Sequence, residues 1–204
     1  VICNNRIIFV HVPKTGGTSV RRALMARYPD MVMPQAFHTA LRSAKFKTSD
    51  KFAFGFMRNP WERMVSHYRF MCQKPAGPND HKVYKRQSVI DMGFKEWAIN
   101  GRFGEEIYKA VGEFEAALSV HHISQMWWLR GCNFIGRFER LQEDADEAMR
   151  QIGEPPLLLP HLQKTMGGDY RDEYDDELRE FIGRLFAEDI EVGGYTFDGT
   201  GEPT

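Results

Sequence analysis

The sequence predicts an α/β fold: a central, mainly parallel sheet flanked by helices in three layers. Three observations carry this. The β-branched run Ile7-Ile8-Phe9-Val10 breaks at Pro13 into a glycine turn and then into helical spacing. A second apolar run, Phe52 to Met57, passes directly into another helical stripe, and a third strand near Asn133 to Phe138 does the same. Strand, turn and helix in repeated order suit parallel pairing, because each crossover must return the chain to the same end of the sheet.

Each element has a local reason. After the first strand, Val20, Ala23, Leu24 and Tyr28 fall at helical spacing and Pro29 marks the stop. After the second, Asn59 suits a cap, Pro60 the first helical position and Glu62 the capping-box acid. Trp61, Met64, Val65, Tyr68, Met71 and Cys72 then form a core-facing stripe, which leaves Arg63, Ser66 and Arg69 for another face. Residues 73–88, with Pro75, Gly77 and Pro78 before His81, Lys82, Lys85 and Arg86, read as a loop or lid. Shorter helices are expected near Phe94 to Ile99 and from Glu105 to Leu118. The third strand leads into a helix carrying Leu141, Ala145, Ala148, Met149 and Ile152, ended by Gly153 and Pro155. A last helix carries Leu178, Phe181, Ile182, Leu185 and Phe186, with acids at its start and Gly193-Gly194 beyond its end. No repeat interrupts this order, so 1–204 reads as one domain with a flexible tail over 198–204.

Composition excludes more than it selects. The 204 residues are 42% hydrophobic and 27% charged, which fits a folded chain with a sizeable core rather than a disordered one. With a net charge of −1 the chain is not a generally basic nucleic-acid binder, so any electropositive site is local. No run of about 18 apolar residues suggests a membrane span. Cys3, Cys72 and Cys132 form no CxxC pair and cannot all pair with one another, which favours a reducing cytoplasm over a disulfide framework.

The chemistry concentrates at Pro13-Lys14-Thr15-Gly16-Gly17-Thr18-Ser19. A strand, a glycine turn and a helix start aim backbone N–H groups and the positive end of a helix dipole at one point, beside Lys14 and three hydroxyls. Such a point binds an anion. The loop differs from the nucleotide-triphosphatase pattern GxxxxGK[ST], because Lys14 precedes both glycines. A triphosphatase also ends its next strand in an acid that holds Mg²⁺, whereas here the Phe52 to Met57 run ends in Arg58. A cation there argues for a second phosphate instead of a metal, with Arg58 and Ser66 as its ligands.

These residues resemble the sulfotransferases that use 3′-phosphoadenosine 5′-phosphosulfate (PAPS), most of all the bacterial and Golgi carbohydrate enzymes of the heparan 2-O and chondroitin type. The Pro-Lys-Thr-Gly-Gly-Thr-Ser loop carries the resemblance, with Arg58-Asn59-Pro60-Trp61-Glu62-Arg63 leading to Ser66, Ile135-Gly136-Arg137-Phe138-Glu139, and Tyr174 through Tyr195. It implies a P-loop-like fold and metal-independent, in-line transfer of a sulfuryl group to a hydroxyl. Lys14, Thr15, Gly16, Gly17, Thr18 and Ser19 would hold the 5′-phosphosulfate, and Arg58 and Ser66 the 3′-phosphate. It extends donor binding to Lys164 and Thr165 and implies a hydroxyl-bearing acceptor, most simply a carbohydrate. The base is expected at His38, in Phe37-His38-Thr39-Ala40, because an imidazole titrates near working pH; Glu139 is the next candidate.

Other residues keep two readings. His121 is an acceptor-side candidate, where the family has a His before a Pro-Gln pair and this chain has Ser124-Gln125. Adjacent His121 and His122 point apart on either a strand or a helix, which disfavours zinc. His11 reads as a core or site-lining residue, and Trp127-Trp128 as core or a sugar platform. Lys82, Lys85 and Arg86 are either a solvated face or contacts to an acidic glycan. A nucleotide- or glycan-binding protein without turnover, and a P-loop kinase, remain the alternatives. Localisation is expected to be cytoplasmic, with a removed N-terminal anchor and a Golgi-lumenal placement left open.

Overall fold

A computed structural model describes residues 1–34, 39–44, 47–73, 83–100, 120–160 and 168–200. The chain folds as two compact units, Val1–Arg58 with Ser124–Lys164, and Asn59–Ile123 with Thr165–Thr204.

The first unit holds a sheet of β1 (Ile2–Cys3), β2 (Ile7–Val10), β3 (Phe52–Met57) and β4 (Phe134–Arg137), paired in that order. β1 runs antiparallel to β2, while β2, β3 and β4 are mutually parallel, with Ile7 opposite Phe52 and Phe54 opposite Phe134. Alternation along the strands sends Ile7, Phe9, Phe54 and Phe56 to one face. There they pack with Val20, Ala23 and Leu24 of α1 (Gly17–Arg27). The Phe9, Phe54 and Phe56 rings lie 5.4–6.3 Å apart, and burying each contributes roughly 2–3 kcal/mol.

On the opposite face Gly55 meets α4 (Gln125–Leu129): a Cβ there would stand 2.4 Å from Leu129 Cδ2 and 2.8 Å from the Val10 carbonyl oxygen. Back on the Phe54 and Phe56 face, α5 (Leu141–Gln151) buries Ala145, Ala148 and Met149, spaced i, i+3, i+4, and keeps Glu143 and Asp144 in its first turn and Arg150 in its last, as the dipole favours. Helices therefore cover both faces of a mainly parallel sheet, as the sequence predicts.

The second unit is mostly helical. Asn59 caps α2 (Pro60–Cys72) by accepting from the Trp61 and Glu62 N–H groups. The stripe read from the sequence is buried: Trp61, Met64 and Val65 pack with Val89, Phe94, Trp97 and Ala98 of α3 (Val83–Asn100), with Tyr68, Met71 and Cys72 at the margin. Arg63 and Ser66 are buried as well, and Arg63 Nη1 donates to the Ile123 carbonyl oxygen at 3.2 Å.

Three boundaries differ from expectation. Residues 83–88, read as the end of an irregular stretch, are helical, because α3 begins at Val83 and buries Val89 ahead of a break at Gly93 (φ 74°). The expected helix at Phe94 to Ile99 is the part beyond that break. The last helix is two, α6 (Asp176–Leu185) and α7 (Ala187–Gly193), separated at Phe186, whose backbone leaves the helical region while its ring is buried in the core. Part of the expected tail is a strand: β6 (Gly199–Thr200) pairs antiparallel with β5 (Tyr195–Thr196). Residues 74–82, the expected helix from Glu105 to Leu118 and residues 201–204 lie outside the described residues.

Candidate functional site

The loop after β2 uses its residues differently from one another. Lys14 has φ 70°, a left-handed conformation that costs a side-chain-bearing residue about 1–2 kcal/mol. Gly16, at φ 75°, is the N-cap of α1, and a Cβ on it would meet Leu141 Cδ2 at 2.6 Å and the Phe138 ring at 3.0 Å. Gly17 is needed for space and not for angle, since a Cβ there would lie 2.1 Å from His11 Cδ2. His11 is buried just past the end of β2, its ring stacked 5.9 Å from that of Phe9. The Thr15 hydroxyl donates to the Val12 carbonyl oxygen at 3.0 Å and so staples the turn. Ser19 is buried and Thr18 exposed. Gly16 brings no capping side chain to α1 and no acid occupies its first turn, an arrangement suited to an anion at the positive end of the helix.

Arg58 follows β3 directly and is 7% exposed. Its N–H donates to Gln125 Oε1 at 2.9 Å, and Gln125 Nε2 donates back to its carbonyl oxygen at 2.8 Å. The guanidinium lies 4.1 Å from the Phe138 ring centre, and Nη1 donates to the Lys14 carbonyl oxygen at 3.3 Å. Burial, and then the Arg58 charge, lower the Lys14 ammonium to about 8. The fold thus brings together Lys14, Gly16, Gly17 and Arg58 in one unit, two cations beside an uncapped helix start.

The remaining candidates are distributed elsewhere. Ser66 is buried on α2, and Lys85 and Arg86 lie on α3. His38, Lys82, Lys164 and Thr165 lie outside the described residues. Trp128 is wholly buried, whereas Trp127 is half-buried with Arg42 5.1 Å above its ring.

His121, 1% exposed, stacks on Trp97 with ring centres 4.0 Å apart, and His67 stands 6.0 Å away. Desolvation first, then His122 and His67, hold the His121 imidazole well below 6.5. His122 Nε2 meets the Ala98 carbonyl oxygen at 2.6 Å.

Sequence reasoning missed the roles of Gln125 and Phe138. Both stood in stretches noted for other reasons. Their only local signal is a lone amide and a lone ring, and each acquires meaning from Arg58, 67 residues before Gln125.

The chain is 26% identical over 196 residues to human carbohydrate sulfotransferase 9, in an alignment that takes in 82% of this chain and 44% of that protein. It therefore spans less than half the length of this relative. No solved structure matches it. Among the described residues, no helix is long and apolar enough to cross a membrane. The sequence model of the sulfotransferase family matches residues 1–196, across the glycine turn, the Arg58 strand end and the C-terminal helices: the chain belongs to the sulfotransferase family.

Proposed function

We propose that this chain transfers a sulfuryl group from PAPS to a carbohydrate hydroxyl without a metal ion. The observation that supports this best is the half-buried Lys14 held near buried Arg58 at an uncapped helix start. Two cations so placed repel each other, and a strong anion offsets that cost. PAPS fits, since it is anionic at both ends and the start of α1 presents backbone N–H groups to a phosphate, with Gly16 and Gly17 letting the turn pack against Leu141, Phe138 and His11. Bound there, it offers sulfur to the acceptor oxygen: that bond forms as the bond from sulfur to the 5′-phosphate oxygen breaks, and adenosine 3′,5′-bisphosphate leaves with the electron pair.

In this reading Lys14 meets charge that grows on the leaving phosphate, an interaction stronger in the transition state than in the ground state. Thr15, Gly16, Gly17, Thr18 and Ser19 bind the 5′ end. Arg58 is assigned to the 3′-phosphate, and Ser66, Lys164 and Thr165 join donor binding on the strength of the resemblance. His38 takes the acceptor proton. Lys82, Lys85 and Arg86 are assigned to an acidic glycan acceptor, whereas His121, expected on the acceptor side, is 1% exposed and stacked on Trp97 and so belongs to the core. The choice of a carbohydrate rests on the likeness to carbohydrate sulfotransferase 9.

Transfer from labelled PAPS to a panel of sugar, lipid and secondary-metabolite hydroxyls, with a chelator present, tests the reading. Label should appear on a sugar, and His38→Ala should lower turnover about 10²-fold with donor affinity nearly intact. Bisphosphate binding without transfer to any acceptor would make the chain a binding protein. ATP hydrolysis that needs Mg²⁺ would return the triphosphatase reading.

A further inference from the structure

We propose that Gln125 and Phe138 are positioning residues that fix Arg58 for the 3′-phosphate of the donor, an inference that rests on the function proposed above. β3 ends at Met57, whose partner in the ladder is Arg137, so the next peptide groups must find partners off the sheet. Gln125, with no exposed surface, answers both groups of Arg58 at once: its Oε1 accepts from the Arg58 N–H and its Nε2 donates to the Arg58 carbonyl oxygen, at 2.9 and 2.8 Å. Only a side-chain amide can do both, since a carboxylate lacks the donor and a hydroxyl lacks the reach.

Phe138 acts at the other end of the same residue. Its ring lies 4.1 Å from the guanidinium carbon, and its edge borders the Gly16 Cα, where a Cβ would come within 3.0 Å. One ring therefore sets the guanidinium against the loop that carries Lys14. The third contact, from Nη1 to the Lys14 carbonyl oxygen, ties the same two segments.

The contacts from Gln125, Phe138 and the Lys14 carbonyl are themselves neutral and act on position. The amide fixes the Arg58 backbone, and the aromatic face and the carbonyl orient its guanidinium.

Affinities for adenosine 3′,5′-bisphosphate and for adenosine 5′-phosphate, measured side by side by calorimetry, test this. The wild-type chain should prefer the bisphosphate, and Arg58→Ala should abolish that preference. Gln125→Glu should reduce the preference by roughly tenfold, the worth of one well-placed hydrogen bond, while affinity for the monophosphate stays within about threefold. Phe138→Leu should reduce it similarly, and Phe138→Tyr should restore it. Adding Gln125→Glu to Arg58→Ala should cost nothing further, because the two act as one unit. An unchanged preference in Gln125→Glu and Phe138→Leu, or an equal loss for both ligands, overturns the proposal. A wild-type chain with no preference for the 3′-phosphate overturns the assignment of Arg58 beneath it. Should Gln125→Glu fail to fold, the Phe138→Leu and Phe138→Tyr pair decides.

Discussion

Lys14 is held at two costs, a left-handed backbone and an ammonium depressed from 10.5 to about 8. Both work against the empty protein and both are offset by an anion. Between about 8 and 10.5 the unfolded chain binds a proton at Lys14 that the folded chain does not, so this group makes the ligand-free protein more stable as pH rises through that window. Binding has the opposite slope, because the anion needs the charged form. Affinity for adenosine 3′,5′-bisphosphate should be full below pH 8 and decline above it, and calorimetry from pH 6.5 to 9.5 would show the bend. In Lys14→Met the bend should be gone. A wild-type profile without a bend would mean that the anion does not meet the Lys14 charge.

Among the elements, α2 shows how one motif residue serves two structures. Asn59 Oδ1 caps the helix, while Nδ2 donates to the carbonyl oxygens of Thr196 and Gly199, in the hairpin of β5 and β6, at 2.8 and 3.3 Å. Asn59→Asp keeps the cap and loses the hairpin bonds, whereas Asn59→Ala loses both. Thermal unfolding should place Asn59→Asp about 1 kcal/mol below wild type and Asn59→Ala lower by a further ~1 kcal/mol. Equal losses would show that the cap contributes nothing. The aromatic cluster behind α2 and α3 makes a pH prediction. Below pH 6.5 the unfolded chain protonates His121 and the folded chain resists, so stability falls as pH falls. His121→Phe keeps the stack on Trp97 and removes two buried ring nitrogens. The acid limb should flatten, with no loss of stability at pH 7.5; a steeper limb would identify His121 as a group stabilised in its charged form. These elements also divide what a sequence can and cannot disclose. β2, β3, α1, α2 and α5 were legible because their apolar residues recur at the period of the element itself. The start of α3 at Val83 and the split at Phe186 were not: the first follows a stretch rich in Pro, Gly and charge that reads as a loop, and the second turns on how the Phe186 ring packs in the core. The same holds at the candidate site: Lys14, Gly16 and Gly17 suggest an anion loop locally, whereas Gln125 and Phe138 are ordinary residues until the fold brings them to Arg58.

For the molecule as a whole, 27 basic residues against 28 acidic ones leave no general attraction for anions, so the donor binding proposed above has to come from the local field of Lys14, Arg58 and the α1 N-terminus. A ligand that binds only the native state raises stability by about 2.7 kcal/mol at a hundredfold excess over its Kd. For a chain of this length each kcal/mol moves the midpoint roughly 2–4 °C, so adenosine 3′,5′-bisphosphate should raise Tm by roughly 5–10 °C at pH 7. The shift should survive a chelator, since in the proposed function side chains supply the charge that a triphosphatase takes from Mg²⁺. It should shrink at pH 9.5, where Lys14 is largely neutral, and persist in part at high salt because Arg58 is buried. Two separated transitions are informative as well: the one belonging to Val1–Arg58 with Ser124–Lys164, which holds the loop and Arg58, should shift more than the other. A shift of the same size with inorganic phosphate at equal concentration would reduce the site to a general anion trap, and a shift that appears only with Mg²⁺ would overturn the metal-independent reading of Arg58.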